Sequence, residues 1–186
     1  MRTVRRQLAA CLLFAAGGII DAYSYCGCDG VLANVQTVNL LLAGMSFAQA
    51  DWQNVLRYSV PIVAYCLGVA AFLFCQRRCQ ESKWQFRGIP VFVFKELLVL
   101  APMFFSPAPA SFSLSAACGF GIEEYACVKK VNANIDTWHS ASNLIVLLAF
   151  IFGILAGMAL FGWLGSFTLL VPGFLLLGAA IAQQNI

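Results

Sequence analysis

Residues 142–182 contain no charged side chain, an unbroken run of 41 positions. As a single α-helix they would extend about 60 Å, twice the roughly 30 Å hydrocarbon core of a bilayer. The chain must therefore fold back on itself within this run. Gly162-Trp163-Leu164-Gly165 is the expected turn, with Pro172 stiffening or kinking the helix that follows. Further apolar stretches cover 8–25, 31–48, 56–75, 89–105 and 111–128. At about 20 residues per crossing, these segments use up most of the chain and leave no room for a soluble domain.

Composition agrees. Hydrophobic residues make up 61% of the sequence and charged residues 10%, against about 45–50% and 25% in soluble domains. A disordered chain, a collagen, a secreted disulfide scaffold and a nucleic-acid-binding domain all fit these proportions poorly. The expected fold class is all-α: a polytopic helical membrane bundle of six or seven spans. It would form one integral membrane domain over 1–186, with the lipid bilayer as its partner and no nucleic acid. A homo-oligomer is compatible with such a bundle.

The eight cysteines form no four-ligand spacing, so no metal is expected. Cys11, Cys66, Cys118 and Cys127 lie in apolar runs, where a thiol behaves as a small hydrophobe. Leu8-Ala9-Ala10-Cys11 imitates a lipoprotein cleavage box. However, the apolar run starts at the box instead of preceding it, so an uncleaved first span behind a basic anchor is expected.

Arg2, Arg5 and Arg6, the basic loop 76–88, and Lys129-Lys130 are the three cationic sites. The positive-inside rule asks for all three on the cytoplasmic side. Two apolar stretches separate the second site from the third, which agrees. Three separate the first from the second, which does not. Either the N-terminus lies outside, or one early stretch fails to cross. The stretch 31–48 is the suspect, because Asn34, Gln36, Thr37 and Asn39 fall in its first half, and irregular backbone is tolerated at membrane depth only where protein or a cavity surrounds it.

Two windows resemble each other. Gly18-Ile-Ile-Asp21-Ala-Tyr23 leads to Ala33-Asn-Val-Gln-Thr-Val-Asn39-Leu40, and Gly121-Ile-Glu-Glu124-Tyr-Ala leads to Ala133-Asn-Ile-Asp136-Thr and then Asn143-Leu144. Each places Gly-x-x-acid near the end of one apolar stretch and an amide-rich segment before the next. The windows suggest a duplication with halves near 8–75 and 111–182, linked by the basic loop and a helix over 89–105. Transporters often use such repeats and place their substrate sites at the repeat interface.

Asp21-Ala22-Tyr23-Ser24-Tyr25, followed by Gly30-Val-Leu-Ala-Asn34-Val-Gln36-Thr37-Val38-Asn39, resembles the YoaK-like family of bacterial integral membrane proteins. That family's signature reads approximately D-A-Y-x-Y…G-G-V-F-A-N-A-Q-T-G-N. Ala50-Asp51-Trp52, Glu96 and Lys129-Lys130-Val131-Asn132 extend the likeness. Val38 departs from the usual glycine, and 136–143 follows the second motif only loosely. The resemblance implies a multi-pass protein of the bacterial cytoplasmic membrane, from a family known as a domain of unknown function.

Polar groups inside apolar segments are the candidate functional residues, since each charge costs a few kcal/mol at the bilayer centre on insertion scales. Asp21 lies about 20 Å along the first helix. It is either an interfacial residue or a cavity carboxylate for a proton, a cation or a solute amine. Glu124, beside Glu123, reads either as its counterpart or as part of an interfacial charge cluster with Lys129 and Lys130. Lys95 can snorkel back to the basic side, whereas Glu96, about 100° away, is expected to face the bundle. The amides either line a cavity or join helices. Gly153-x-x-x-Gly157 reads as close helix packing. Trp52, Trp84 and Trp138 read as interfacial anchors.

There is no nucleophile–base set, phosphate loop or flavin or nicotinamide fingerprint, so neither a cofactor nor enzyme activity is expected. The leading expectation is a small secondary transporter for a small polar or ionic solute. Its solute and coupling-ion residues would be Asp21, Tyr23, Asn34, Gln36, Thr37, Asn39, Glu96, Glu124, Asp136 and Asn143. The other reading is a scaffold or sensor that transports nothing and uses its polar motifs only to pack helices.

Overall fold

A computed structural model describes residues 2–81, 89–104, 110–120 and 140–184. Side chains are described for 7–74, 93–104, 110–120 and 144–181. These residues are all-helical, with no strand among them. In order come α1 (Arg2–Gly27), α2 (Gln36–Ala48), α3 (Trp52–Glu81), α4 (Ile89–Leu100), α5 (Ala110–Phe120), α6 (Ser140–Leu164) and α7 (Leu170–Gln184). A 3-10 turn, Ala101–Phe104, extends α4, and another, Gly165–Leu169, joins α6 to α7.

Three segments are long and apolar enough to cross a membrane: Gln7–Gly27, Trp52–Phe74 and Leu144–Ile181. The last includes both α6 and α7, and it folds back as its length requires. The reversal comes at the end of the expected turn, where Gly165 takes φ +54, a value that favours glycine.

Helix α1 is the hub, with α6 and α7 packed on it. Its contacts with α6 advance in step. Ala15 lies at Gly153, Ile19 and Ala22 at Gly157, and Tyr23 and Gly27 at Phe161, so the two helices are parallel. The expected close approach through Gly153 and Gly157 is realised. Contacts with α7 run in reverse, with Leu12 at Gly178 and Tyr23 at Ser166.

The other helices orient by the same reasoning. Glu96 and Leu100 of α4 meet Gly173, and the two 3-10 turns touch, so α4 opposes α7. Leu98 pairs with Ser113 and Phe94 with Phe120, so α5 opposes α4. In turn, α3 parallels α5, through Tyr65 at Gly119, Gly68 at Ala116 and Phe72 against Phe120. Thus α1, α4 and α6 run one way, and α3, α5 and α7 the other. The N-terminal end of α1, the ends of α3 and α4 that flank 82–88, and the ends of α5 and α6 that flank 121–139 all lie at one pole of the bundle.

Two glycine crossings share one geometry. A Cβ at Gly18 would collide with the carbonyl of Phe150, and one at Gly153 with that of Ala15. A Cβ at Gly68 would collide with the carbonyl of Ala116, and one at Gly119 with that of Tyr65. In each crossing, every glycine sits on the residue three before its partner glycine. The missing side chains let the backbones touch, which is how helices associate when lipid supplies no hydrophobic drive between them.

Large apolar side chains such as Leu40, Leu56, Phe152 and Phe174 cover the outside of the bundle, while its interior is built largely from Ala, Ser and Gly. That distribution suits a lipid-facing exterior. Trp52 is exposed and packs edge-on against Phe47 at 5.5 Å, where α2 turns into α3. Asp51 caps α3 by accepting from Asn54 N at 3.2 Å. Trp84 and Trp138 lie outside the described residues. Cys26 and Cys28 are both free thiols.

Candidate functional site

The stretch 31–48 is not one helix. At the end of α1 the chain reverses through Asp29 (φ 57) and Gly30 (φ 79), and residues 31–35 are non-helical. Side chains take over the backbone bonds that a helix would have supplied. The Asn34 side-chain amide donates to the Gly17 carbonyl at 3.0 Å, ten residues back from the end of α1. The segment therefore returns about 15 Å along α1 before α2 starts.

Asp21 and Ser24 hold this segment against α1. Asn34 N–H donates to Asp21 Oδ1 at 2.7 Å, and Ala33 N–H donates to Ser24 Oγ at 3.1 Å. From the α2 side, Asn39 grips Leu32 at both backbone groups. Its Oδ1 accepts from Leu32 N at 3.1 Å, and its Nδ2 donates to Leu32 O at 2.6 Å and to Gln36 Oε1 at 2.9 Å. Gln36 Nε2 donates to Ala33 O at 2.6 Å.

The sequence reads the amides either as lining a cavity for a solute or as joining helices, and the structure bonds two of them to backbone. Gln36 and Asn39 are committed to backbone groups that the irregular segment would otherwise bury unpaired, an omission costing about 1–3 kcal/mol per group. Thr37 is exposed and takes no part. Tyr23 is buried, stacks edge-on against Phe161 at 5.5 Å and shares a hydrogen bond with Ser166. It locks α1 to the α6–α7 turn.

Asn34 reaches further. Its segment closes one side of a cavity of about 170 Å³. Leu13, Phe14, Gly17 and Ile20 of α1 form one wall. Lys95 and Val99 of α4, Ala117 and Cys118 of α5, Phe150 of α6 and Leu176 of α7 form the others. The cavity thus lies where five helices and the non-helical segment converge. Asp21 is 2% exposed and sits behind Asn34, close to Cys118. Among the described residues, its Oδ2 has no hydrogen-bond partner.

Lys95 departs from the place expected of it, whereas Glu96 faces a neighbouring helix of the bundle. Lys95 does not snorkel: it is 3% exposed and lines the cavity. Glu96 turns towards α7, where a Cβ on Gly173 would lie 3.2 Å from its Oε2. The glycine leaves room for the longer side chain between the helices. An ionisable residue seven positions into an apolar helix was the available signal for Lys95, but one-dimensional spacing does not say which neighbour turns inward. Cys118 and Phe150 carry no comparable signal. Glu124 and Asp136 lie outside the described residues, as does the side chain of Asn143.

A family model described as "Protein of unknown function (DUF1275)" matches residues 9–139. YoaK-like proteins are in that family, so the resemblance read from 18–39 holds at family level. No curated protein and no solved structure matches the chain.

Proposed function

Since the chain belongs to the DUF1275 family, for which no function is described, we propose from its geometry that it is a small secondary permease carrying a small polar or ionic solute across a membrane. The observation that carries this reading is the cavity of about 170 Å³ at the tip of a non-helical segment, bordered by α1, α4, α5, α6 and α7. Irregular backbone returning to mid-bundle depth around a cavity is the arrangement in which transporters place their sites.

The proposed topology has six crossings: α1, α3, α4, α5, α6 and α7. Residues 28–48 enter and leave on one side without crossing. Support comes from the helix directions, which bring the N-terminal end of α1 and the helix ends that flank 82–88 and 121–139 to one pole, as the positive-inside rule asks of the three cationic sites. That pole would be cytoplasmic, in the cytoplasmic membrane of a bacterium.

A duplication also fits. The two glycine crossings interchange if α1 is exchanged for α5 and α6 for α3, and these exchanged helices run in opposite directions. Gly18 and Gly119 are 101 residues apart, near the 103-residue offset of the sequence windows, whereas Gly68 and Gly153 are 85 apart. Inverted halves of this kind let one helix pair rock against the other around a central site. Asp21 would serve as the coupling group, because protonating or ion-pairing its Oδ2 would alter its hold on the non-helical segment.

Uptake by purified protein in liposomes, over a panel of permanently charged cations and anions with and without a proton gradient, tests the proposal. Saturable uptake that collapses with the gradient is expected. Absence of uptake for every solute would leave the scaffold reading, which the backbone-bonded Gln36 and Asn39 favour.

A further inference from the structure

Residues 31–35 belong to α2 along the chain but hold to α1 in space. Gln36 and Asn39 bond the backbone groups of residues 32 and 33, so the segment and the start of α2 form one strap. The bonds from the strap to α1 reach further back. Asn34 N–H donates to Asp21 Oδ1 at 2.7 Å, Ala33 N–H donates to Ser24 Oγ at 3.1 Å, and the Asn34 amide donates to the Gly17 carbonyl at 3.0 Å. These three bonds form a polar latch. Such a latch releases at modest cost, because water replaces each partner when it opens.

The strap also joins two bodies. Helices α1 and α6 touch through Gly18 and Gly153, and α3 and α5 through Gly68 and Gly119. Helix α2 packs on α3, so the strap runs from one glycine-joined pair to the other. Between α1 and the strap the chain turns through Asp29 (φ 57) and Gly30 (φ 79). Hinges are a few residues at element ends that absorb changes of dihedral angle, and glycine does so with little steric penalty.

Position gives the strap its role. Leu13, Phe14, Gly17 and Ile20, the α1 residues on the cavity wall, all precede Asp21. The strap enters from the pole that carries the α2–α3 turn, and its Val31 and Ala33 are buried. It therefore stands between that pole and the cavity of about 170 Å³, with Asn34 at its tip on the cavity wall.

We propose that residues 31–35 are a gate: with α2 they swing about Asp29-Gly30 off α1, parting the latch to Asp21, Ser24 and Gly17 and opening the cavity to the face that carries the α2–α3 turn. The gate rests on the permease reading for its transport role, but its opening can be measured without transport.

Cys118 lies on the cavity wall as a free thiol and reports access. The full chain, with its other cysteines replaced by alanine, is labelled in spheroplasts and in inverted vesicles with a small impermeant methanethiosulfonate. Modification of residue 118 is read by peptide mass spectrometry. Reagent on the face that carries Ala50 should label the parent slowly. Asp21→Ala should speed this labelling about tenfold or more and Ser24→Ala a few fold, as the closed state loses a charge-assisted or a neutral hydrogen bond. Ser24→Cys with Ala33→Cys, oxidised to a disulfide across the latch, should stop it. The same disulfide should stop it in the Asp21→Ala background, which distinguishes an opened strap from an unfolded protein.

Labelling that the disulfide leaves unchanged would overturn the gate. So would unchanged rates in folded Asp21→Ala and Ser24→Ala, or a Cys118 that stays unreactive from that face in every variant. Liposome uptake separates the gate from the permease. Latch-dependent labelling without uptake of any solute keeps the moving strap and overturns the permease. Uptake that persists in the disulfide-locked protein keeps the permease and overturns the gate.

Discussion

Asn34 donates its backbone N–H to Oδ1 of Asp21 at 2.7 Å, so a carboxylate on α1 fixes the deepest point of a segment thirteen residues further along the chain. The bond is charge-assisted and shielded from water, which places it among the stronger hydrogen bonds a protein makes. It also explains how a carboxylate and an irregular backbone can share one buried location. The Asn34 N–H and Asp21 Oδ1 satisfy each other.

Asp21→Ala should lower stability by about 1.5–3 kcal/mol, the range for a hydrogen bond to a charged group. Asp21→Asn retains an acceptor at the Oδ1 position and should fold with a melting temperature close to the parent's, while losing gradient-driven uptake. Melting curves in detergent beside liposome uptake check both. If Asn melts as low as Ala, Asp21 is there for its charge in folding and not for coupling.

The glycine crossings should respond sharply to a single methyl group. Gly18→Ala, Gly153→Ala, Gly68→Ala and Gly119→Ala each drive a Cβ into a partner carbonyl, and overpacking of this kind costs about 1–3 kcal/mol. Gly44 and Gly162 have nothing within 4 Å of an added Cβ. Gly44→Ala and Gly162→Ala should be neutral or stabilising by up to about 1 kcal/mol, since alanine is the better helix former. Thermal unfolding of the six variants separates the groups, and a shared ranking would refute the backbone contacts.

Asn39→Leu should destabilise by about 1–3 kcal/mol or more, because it abandons both backbone groups of Leu32 inside the bundle. Thr37→Ala, two positions away and exposed, should change stability by less than about 0.5 kcal/mol. Melting temperatures measured in one detergent give the comparison. Equal losses would mean that α2 does not clamp residues 31–35.

Single reporter cysteines at positions 3, 83 and 131, in a cysteine-free background, should react with an impermeant thiol reagent only from the cytoplasmic face. A reporter at position 50, beside the α2–α3 turn, should react only from the opposite face. Labelling of 50 and 83 from one side would sink the six-crossing topology.

Much of this was legible in the sequence. The charge-free run over 142–182 exceeds one bilayer thickness, so a reversal near Gly165 was forced by length alone. The mismatch between Arg2, Arg5 and Arg6 and the loop 76–88 singled out 31–48 as the stretch least suited to cross, and its polar residues said why. Asp21 was visible as a carboxylate in an apolar helix. In each case composition and spacing were sufficient, because a bilayer penalises length and charge wherever they occur.

What only the tertiary structure decided was the direction of each polar side chain. Gln36 and Asn39 were compatible either with lining a cavity or with joining helices, and the fold gave them to residues 32 and 33 because the unwound segment had groups to satisfy. Lys95 and Glu96 differ by one position, and the absent side chain of Gly173 on another helix settled which of them turned towards α7 and which towards the cavity. Such outcomes depend on which helix stands opposite, a relation between residues 77 positions apart in the case of Glu96 and Gly173. The sequence by itself determined that this chain belongs in a membrane and where its polar minority lies. Packing determined which of those groups are structural and which face the space left between the helices.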